Sequence, residues 1–280
     1  MTNIIDGKQI ANKIKENLKN EINKIEQKLK LVVIQTGDNP ASNIYINNKK
    51  SLCEEVGINF ELKKYETITT EELIKEIEIL NNNKEVTSIL VQLPLLKEID
   101  ETKVLEAINP KKDADGLTSK NIGNLYSKQE AIIPCTAYGI MKIFEEEKIN
   151  LEGKNIVIIG RTKLVGIPLI PLLLKENATV TICHSKTKNL KEKTSQADIL
   201  IVAAGKKDLI TKEMIKQDQI IIDVGINREN NKVYGDVDFE EAKEKTSYIT
   251  PVPGGVGPLT VIMLMNNIVE CHKLQTKNLL

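Results

Sequence analysis

The sequence predicts an α/β fold of two α/β domains, the second a Rossmann-like doubly wound parallel sheet, with a cleft between them. Short apolar runs rich in β-branched residues alternate with segments in which apolar residues recur every three or four positions. The runs are apolar on both faces, which is typical of strands in parallel sheets that helices cover. One run also leads into a glycine turn and a helix start, as in dinucleotide-binding folds.

Seven apolar runs are predicted to be strands. In chain order they occupy residues 31–35, 58–65, 88–93, 155–159, 179–183, 199–203 and 220–224. Helical spacing is clearest at residues 71–80 and 140–147. This alternation of strands and helices favours parallel strand pairing.

The alternating pattern breaks at residues 109–123, where Asn-Pro, Lys-Lys-Asp and two glycines interrupt it. We therefore predict a first domain over residues 1–118 and a second, nucleotide-binding domain over residues 119–280. A final apolar helix at about residues 259–275 follows the last strand. It is expected to pack back on the first domain.

The composition argues against several classes of protein. The 280 residues have a formal net charge of zero with finely interspersed charges, so a nucleic-acid-binding face is not expected. The four cysteines form no Cys-x-x-Cys pair, which favours buried reduced thiols over a zinc or disulfide site. No apolar run reaches the roughly 18 residues that span a bilayer, and the N-terminus lacks a signal peptide's apolar segment. We expect a cytoplasmic protein that binds neither a metal nor a membrane.

The predicted strand 155–159 leads into a candidate dinucleotide-binding turn. The turn runs from Gly160 through Arg161 and Thr162 to Gly166, where a helix begins. Such a turn places a pyrophosphate against the amides at a helix N-terminus. Only the first and last glycines of the common G-x-G-x-x-G pattern are present, one residue further apart. Taken alone, Gly160 could equally end a strand.

The residues after the predicted strand 179–183 favour NADP over NAD. A fold that binds NAD normally has Asp or Glu here, whereas this chain has His-Ser-Lys-Thr. Ser185 can donate a hydrogen bond to a 2′-phosphate, and Arg161 can add positive charge from the glycine turn. Further along, Gly225 would let the chain pass close to a nicotinamide and Ile226 could pack on its ring, although a routine turn glycine is the alternative.

In the first domain, one predicted helix carries a tyrosine and a lysine on the same face. Asn39 can cap this helix, Pro40 suits its first turn, and Gly57 is expected to stop it. Tyr45 and Lys49 are four residues apart and therefore neighbours on the helix surface. Such a pair is more often an amphipathic contact than a catalytic one.

Two further polar residues lie where apolar patterns end. Gln92 comes just before Pro94 at the end of the predicted strand 88–93, where an amide buried without a partner would cost about 1–3 kcal/mol. Asp115 lies in a tight turn of sequence Lys-Asp-Ala-Asp-Gly. A bond to backbone for Gln92 and turn formation for Asp115 are the alternatives to a catalytic role.

These pieces together resemble the methylenetetrahydrofolate dehydrogenase/cyclohydrolase family. The matching stretches are Gly-Asp-Asn-Pro-Ala-Ser at 37–42 with Tyr45 and Lys49, Val-Gln-Leu-Pro-Leu at 91–95, Lys-Asp-Ala-Asp-Gly at 112–116, Pro-Cys-Thr at 134–136, the glycine turn at 160–168, Asp-Val-Gly-Ile-Asn at 223–227, Gly-Asp-Val at 235–237 and Thr-Pro-Val-Pro-Gly-Gly-Val-Gly-Pro at 250–258. They are collinear and cover nearly the whole chain. Ala137 and Ser119 replace prolines that are common in the family, and Thr162 stands where serine is frequent.

The resemblance implies a role for each candidate residue. Lys49 would carry the acid–base chemistry of the cyclohydrolase step, which suits an amine in a partly desolvated cleft. Gln92 would hold the lysine and the folate in register through hydrogen bonds. Tyr45 would stack on the aminobenzoyl ring, and Asp115 would bind the pterin edge.

The implied function is oxidation of 5,10-methylenetetrahydrofolate by NADP⁺, followed by hydrolysis of the methenyl product to 10-formyltetrahydrofolate. Gly255 and Pro258 would help to bind these tetrahydrofolate derivatives, and the family implies a homodimer. A dehydrogenase without cyclohydrolase activity and a non-catalytic folate- or nucleotide-binding protein are the alternatives. A short-chain reductase would need its Tyr-x-x-x-Lys after the nucleotide turn, which the order of Tyr45, Lys49 and Gly160 excludes.

Overall fold

The computed structural model describes residues 2–230 and 232–277, which form two compact units. The six-stranded unit extends through residue 13 and resumes over residues 134–260. The three-stranded unit comprises residues 14–133 and 261–277. These limits differ from a division at residue 118, and the assignment of folate and nucleotide domains to residues 1–118 and 119–280 stays a prediction.

The strands and helices alternate along the chain, as the apolar patterns predict. The strands are β1 (Asn3–Ile4), β2 (Lys30–Thr36), β3 (Asn59–Tyr65), β4 (Ser88–Val91), β5 (Asn155–Ile159), β6 (Thr179–Cys183), β7 (Ile199–Val202), β8 (Gln219–Asp223), β9 (Asn227–Glu229), β10 (Lys232–Tyr234) and β11 (Thr246–Ile249). The helices are α1 (Gly7–Ile22), α2 (Pro40–Val56), α3 (Thr70–Asn82), α4 (Glu101–Glu106), α5 (Ser119–Tyr126), α6 (Cys135–Glu146), α7 (Gly166–Lys175), α8 (Leu190–Gln196), α9 (Phe239–Ala242) and α10 (Val256–Thr276).

The three-stranded unit is built on a parallel sheet with the strand order β3-β2-β4. Val32, Ile34 and Ile89 of its strands form one apolar cluster with Leu73 and Ile77 of α3. All five side chains are fully buried. Because the strands are parallel, their carboxyl ends share one edge of the sheet, and the segments that follow them meet there.

The six-stranded unit has a parallel sheet with the order β1-β11-β8-β7-β5-β6. Numbered from β5, this is the 2-1-3-4-5 order of a doubly wound sheet, extended by β1. The chain turns to one side of β5 to form β6 and to the other side to form β7 and β8. The topological switch point therefore lies between β5 and β7, and the predicted fold class is confirmed.

All seven predicted strands are present, each within two residues of its predicted ends. The helix predicted to begin at Pro40 and to stop at Gly57 does so, whereas α6 starts at Cys135, earlier than its clearest apolar spacing suggested. Strands β1 and β11 and the antiparallel pair of β9 with β10 were not predicted. Within the described ranges, no helix is both long enough and apolar enough to cross a membrane.

Candidate active site

Helix α2 places Lys49 close to the end of β4 in the three-stranded unit. The Asn39 side chain accepts a hydrogen bond from the Ser42 amide at 3.3 Å, which caps the helix as predicted. Gly57 has a φ of +86°, a conformation that glycine adopts readily and that ends the helix. Tyr45 is 37% exposed and Lys49 is half-buried, so both side chains are accessible from the surface.

Lys49 and Gln92 are brought into direct contact. The Lys49 Nζ atom donates to Gln92 Oε1 at 2.8 Å, and Gln92 Nε2 donates to the Leu93 carbonyl at 2.8 Å. The backbone amide of Gln92 also donates to the Ile34 carbonyl at 2.8 Å, which continues the ladder between β4 and β2. The glutamine therefore makes both the backbone contact and the lysine contact that the sequence left as alternatives.

The turn that contains Asp115 is organised by its neighbour Asp113. The buried Asp113 carboxylate accepts from the amides of Gly116 at 2.9 Å and Thr118 at 2.8 Å, and from Asn121 Nδ2 at 2.9 Å. Asp113 therefore serves as a turn-forming carboxylate here, which the sequence had offered as the alternative role for Asp115.

Backbone contacts fix where Asp115 lies. Residue Asp113 forms a parallel bridge with Ile89 of β4, so two residues later Asp115 lies toward the carboxyl end of β4. Asn267 donates to the Ala114 carbonyl at 2.9 Å and thereby holds the peptide just before Asp115. Asn267 was not predicted as a supporting residue, because its partner is remote in sequence.

Lys112 is a second supporting residue that sequence reasoning missed. Its ammonium donates to the carbonyls of Leu80 at 3.0 Å and Asn83 at 2.7 Å, at the end of α3. Burial lowers the pKa of Lys112 below the ordinary lysine value. A lysine directly before a turn of two aspartates was the only signal, and it does not reveal a partner on another element.

The glycine turn of the six-stranded unit lies at the topological switch point. A Cβ atom on Gly160, whose φ is +125°, would lie 2.2 Å from the Ala203 carbonyl oxygen. A Cβ atom on Gly166 would lie 2.0 Å from the Gly160 carbonyl oxygen. Both positions therefore require glycine, and α7 begins at Gly166 with its N-terminus at the crevice where doubly wound sheets bind ligands. Arg161 and Thr162 are exposed on this turn.

The ends of β5 and β6 bring Arg161 and Ser185 to the same edge of the sheet. Ile159 pairs with Cys183 in the parallel ladder, and the two residues follow these strand ends closely. Ser185 is exposed. The short segment after β6 is ordered by the Thr187 hydroxyl, which accepts from the His184 amide at 2.8 Å. Arg161 and Ser185 are the residues predicted to bind a 2′-phosphate, and the segment 184–187 that follows β6 contains no acidic residue.

The residues predicted from the later strands occupy two different places in the six-stranded unit. Ile226 follows β8 and is 53% exposed, which is unusual for isoleucine. Gly255 lies before α10, and a Cβ atom there would come within 2.6 Å of the Pro251 carbonyl oxygen. Pro258 is half-buried in the first turn of α10, whereas open space surrounds the Cβ position of Gly257, so packing does not require that glycine.

The cysteines are poor candidates for a nucleophile. All four are free and buried, as the sequence predicted. Burial raises the pKa of Cys53 to about 12, and its thiol lies 3.5 Å from the Met265 sulfur. A thiol in this state is protonated at neutral pH and inert.

These features define a two-unit α/β protein that joins a dinucleotide-binding sheet to a second sheet carrying a lysine–glutamine pair. The family model for the catalytic domain of tetrahydrofolate dehydrogenase/cyclohydrolase matches residues 5–115, and the model for its NAD(P)-binding domain matches residues 134–276. The chain belongs to this family, as the sequence motifs predicted.

Close relatives cover essentially the whole chain. The bifunctional protein FolD of Lachnoclostridium phytofermentans is 51% identical over 276 residues, which span 96% of this chain and 97% of the relative. The crystal structure of the bifunctional enzyme FolD from Campylobacter jejuni is 46% identical, has a TM-score of 0.94, and is covered over 98% of this chain and 100% of its own. The Trypanosoma brucei enzyme, solved with NADP and an inhibitor, is 34% identical with a TM-score of 0.93 and 99% coverage of both chains.

Proposed function

We propose that this chain oxidises 5,10-methylenetetrahydrofolate with NADP⁺ and hydrolyses the methenyl product to 10-formyltetrahydrofolate, with Lys49 as the acid–base group of the hydrolysis. The assignment of the site rests on the 2.8 Å hydrogen bond between Lys49 and Gln92 at the carboxyl end of β4. Both family models match this chain, and its relatives with about half of their residues identical are bifunctional enzymes of this kind.

The geometry around Lys49 suits proton transfer. The side-chain NH₂ group of Gln92 donates a hydrogen bond to the Leu93 carbonyl, so the side-chain oxygen faces Lys49 and orients its amine. In the hydrolysis, the oxygen of water joins the bridging methenyl carbon, and the bond from that carbon to folate N5 breaks. Water gives up both protons, one to N5 and one to solvent. Lys49 moves these protons as a general base and then a general acid.

The six-stranded unit supplies the residues that would hold NADP. Gly160 and Gly166 allow the close backbone packing that forms the turn before α7. The amides at the N-terminus of α7 would bind the pyrophosphate. Ser185 and Arg161 would bind the 2′-phosphate, and the exposed Ile226 would pack on the nicotinamide. When bound, NADP⁺ accepts the hydride that the folate methylene group loses.

Tyr45 and Asp115 of the three-stranded unit would bind the folate itself. Tyr45 would stack on the aminobenzoyl ring, and Asp115 would accept hydrogen bonds from the amino group and ring nitrogen of the pterin. The family resemblance also implies a substrate-binding role for Gly255 and Pro258. The proposed homodimer rests on the family resemblance, and light scattering on the purified chain tests it.

The Lys49→Met variant tests the proposed mechanism. We expect it to lower methenyltetrahydrofolate hydrolysis by roughly 100-fold or more, the usual contribution of a general acid–base group, while NADP⁺ affinity changes little. Lys50→Met is the matched control, because Lys50 is the adjacent residue, is exposed, and pairs only with Glu54 at 4.0 Å in the described part of the chain.

Absorbance assays separate the candidate functions. Hydrolysis by Lys49→Met at the wild-type rate would remove Lys49 from the mechanism. If the wild-type protein reduces NADP⁺ while the methenyl product decays no faster than in buffer, the chain is a dehydrogenase alone. No cofactor reduction together with tight folate binding would favour a non-catalytic binding protein.

A further inference from the structure

Asp236 is a fully buried carboxylate that accepts hydrogen bonds from the backbone segment after β7. Its Oδ2 atom accepts from the amides of Ala204 at 2.6 Å and Gly205 at 2.9 Å. Its Oδ1 atom accepts from the Lys206 amide and from Asn227 Nδ2, both at 2.8 Å. One buried side chain thus accepts hydrogen bonds from three consecutive backbone amides of an exposed loop.

Asp223, at the end of β8, holds Asp236 in place. It is 3% exposed, and its carboxylate accepts from the amides of Gly225 at 2.9 Å, Asp236 at 3.0 Å and Val237 at 2.9 Å. A Cβ atom on Gly225 would lie 2.3 Å from the Asp236 carboxyl carbon, and one on Gly235 would lie 1.9 Å from Asp223 Oδ2. Two glycines therefore leave the space that this carboxylate pair occupies.

The carboxylate pair, Asp223 and Asp236, lies beside the nucleotide turn. The loop it holds begins at Ala203, whose carbonyl oxygen is the atom that approaches Gly160 so closely that a Cβ atom could not fit. The Ala203 amide donates to the Ile159 carbonyl at 2.7 Å, which joins this loop to the end of β5. The pair thereby orders the backbone on the β7 side of the switch point, where doubly wound sheets bind ligands.

We propose that Asp236, fixed by Asp223, is a positioning residue for NADP that holds residues 203–206 and 225–227 in the arrangement the nucleotide needs. The proposal rests on the placement of NADP at this edge. Asp236 is fully buried, so it would act on the cofactor through these loops. Backbone amides that converge on a buried carboxylate are a stable local arrangement, because their dipoles compensate its charge.

Asparagine cannot replace aspartate at position 236 without disturbing the loop. In the described part of the chain, the Asp236 carboxylate accepts hydrogen bonds only from N–H donors, two on each oxygen. The side-chain NH₂ group of asparagine would face two of these donors in either orientation. Asp236→Asn therefore conserves the shape of the side chain but places its NH₂ group against two N–H donors. The loop should shift, and the nucleotide site with it.

The test compares NADP⁺ affinity with the two activities in Asp236→Asn. We expect the Kd and KM for NADP⁺ to rise about tenfold or more, as for buried polar groups left without partners, while methenyltetrahydrofolate hydrolysis stays within about twofold. Asp238→Asn is the matched control, since Asp238 caps α9 and asparagine caps equally well. Asn227→Ala removes one of the donors to Asp236, together with bonds to the carbonyls of Tyr234 and Gly235, and should produce a smaller rise in Kd. It provides the test if Asp236→Asn does not fold.

Wild-type NADP⁺ affinity in a folded Asp236→Asn protein would overturn the proposal, as would an equal loss of both activities, which indicates a purely structural role. If Asp236→Asn does not fold, unchanged affinity in Asn227→Ala overturns it. Arg161→Ala, which changes an exposed residue of the nucleotide turn, distinguishes a wrong placement of NADP from a wrong role for Asp236. If Arg161→Ala also leaves NADP⁺ binding unchanged, the placement of NADP is wrong; if it weakens binding and Asp236→Asn does not, only the carboxylate pair is excluded.

Discussion

At the scale of single residues, the site depends on which atom of a side chain faces its neighbour. Gln92 has both a donor and an acceptor, and the bond from its NH₂ group to the Leu93 carbonyl turns its oxygen toward Lys49. Asp113 and Asp115 are two residues apart in one turn, yet Asp113 is the one that accepts from Gly116 and Thr118. Residue type alone would not have separated these roles.

Asp223 should make stability depend on pH. Burial raises the pKa of Asp223 to about 7, despite three amide hydrogen bonds that lower it, from an ordinary value of 3.8. Because the folded-state pKa is the higher one, its stabilising contribution is complete below about pH 4 and is lost as the pH rises toward 7.

Comparison with Asp223→Asn isolates this effect, since carboxylates such as Glu76 have lowered pKa values and act in the opposite sense. The free energy of unfolding of the wild type, relative to that of the variant, should fall by up to about 4 kcal/mol between pH 4 and pH 8. Urea unfolding at several pH values measures this difference. A difference that does not vary with pH would show that Asp223 has the same pKa in the folded and unfolded chain.

Arg161 should decide between the two cofactors. Arg161→Ala would remove the proposed charge-assisted bond to the 2′-phosphate, so the KM for NADP⁺ should rise roughly tenfold or more while the KM for NAD⁺ is nearly unchanged. Lys175→Ala is the control, because it removes one positive charge at the opposite, exposed end of α7. Equal changes in both KM values would show that Arg161 does not contact the 2′-phosphate.

At the scale of elements, most of the fold could be predicted from local patterns. Strand β2 contains the apolar run 31–34, and α2 has a cap at Asn39 and a stop at Gly57, so both are evident in a short window of sequence. Strand β1 has only two residues and forms by pairing Asn3 and Ile4 with the distant strand β11. Periodicity cannot reveal an element of that length, because its stability comes entirely from its partner.

Helix α3 offers a test of an element's own stability. Thr69 Oγ1 accepts from the Glu72 amide at 3.2 Å, and Glu72 accepts from the Thr69 amide at 2.9 Å, which completes a capping box. Thr69→Ala should lower the free energy of unfolding by about 1 kcal/mol. Thr67→Ala, an exposed threonine before the helix, should change it little. Thermal unfolding measures both, and equal melting temperatures for the two variants would show that the box does not stabilise α3.

At the scale of the whole molecule, cofactor binding should raise the free energy of unfolding and the melting temperature. A ligand that binds only the folded chain adds about 2.7 kcal/mol to the free energy of unfolding at 100 times its Kd. We therefore expect NADP⁺ to raise the melting temperature more than NAD⁺ at equal concentration, and Arg161→Ala to remove most of the difference. A larger shift with NAD⁺ would contradict the assignment of the cofactor.

The sequence by itself determined the family, the seven principal strands, the glycine turn and the candidate residues, because each depends on motifs or apolar spacing within a short window. Only the tertiary structure decided what these residues contact. The carboxylates of Asp223 and Asp236, the Lys112 ammonium and the Asn267 amide all find partners outside their own elements. A buried polar group needs a hydrogen-bond partner. The sequence shows which groups need one, but which atom becomes the partner depends on how distant segments pack in the fold.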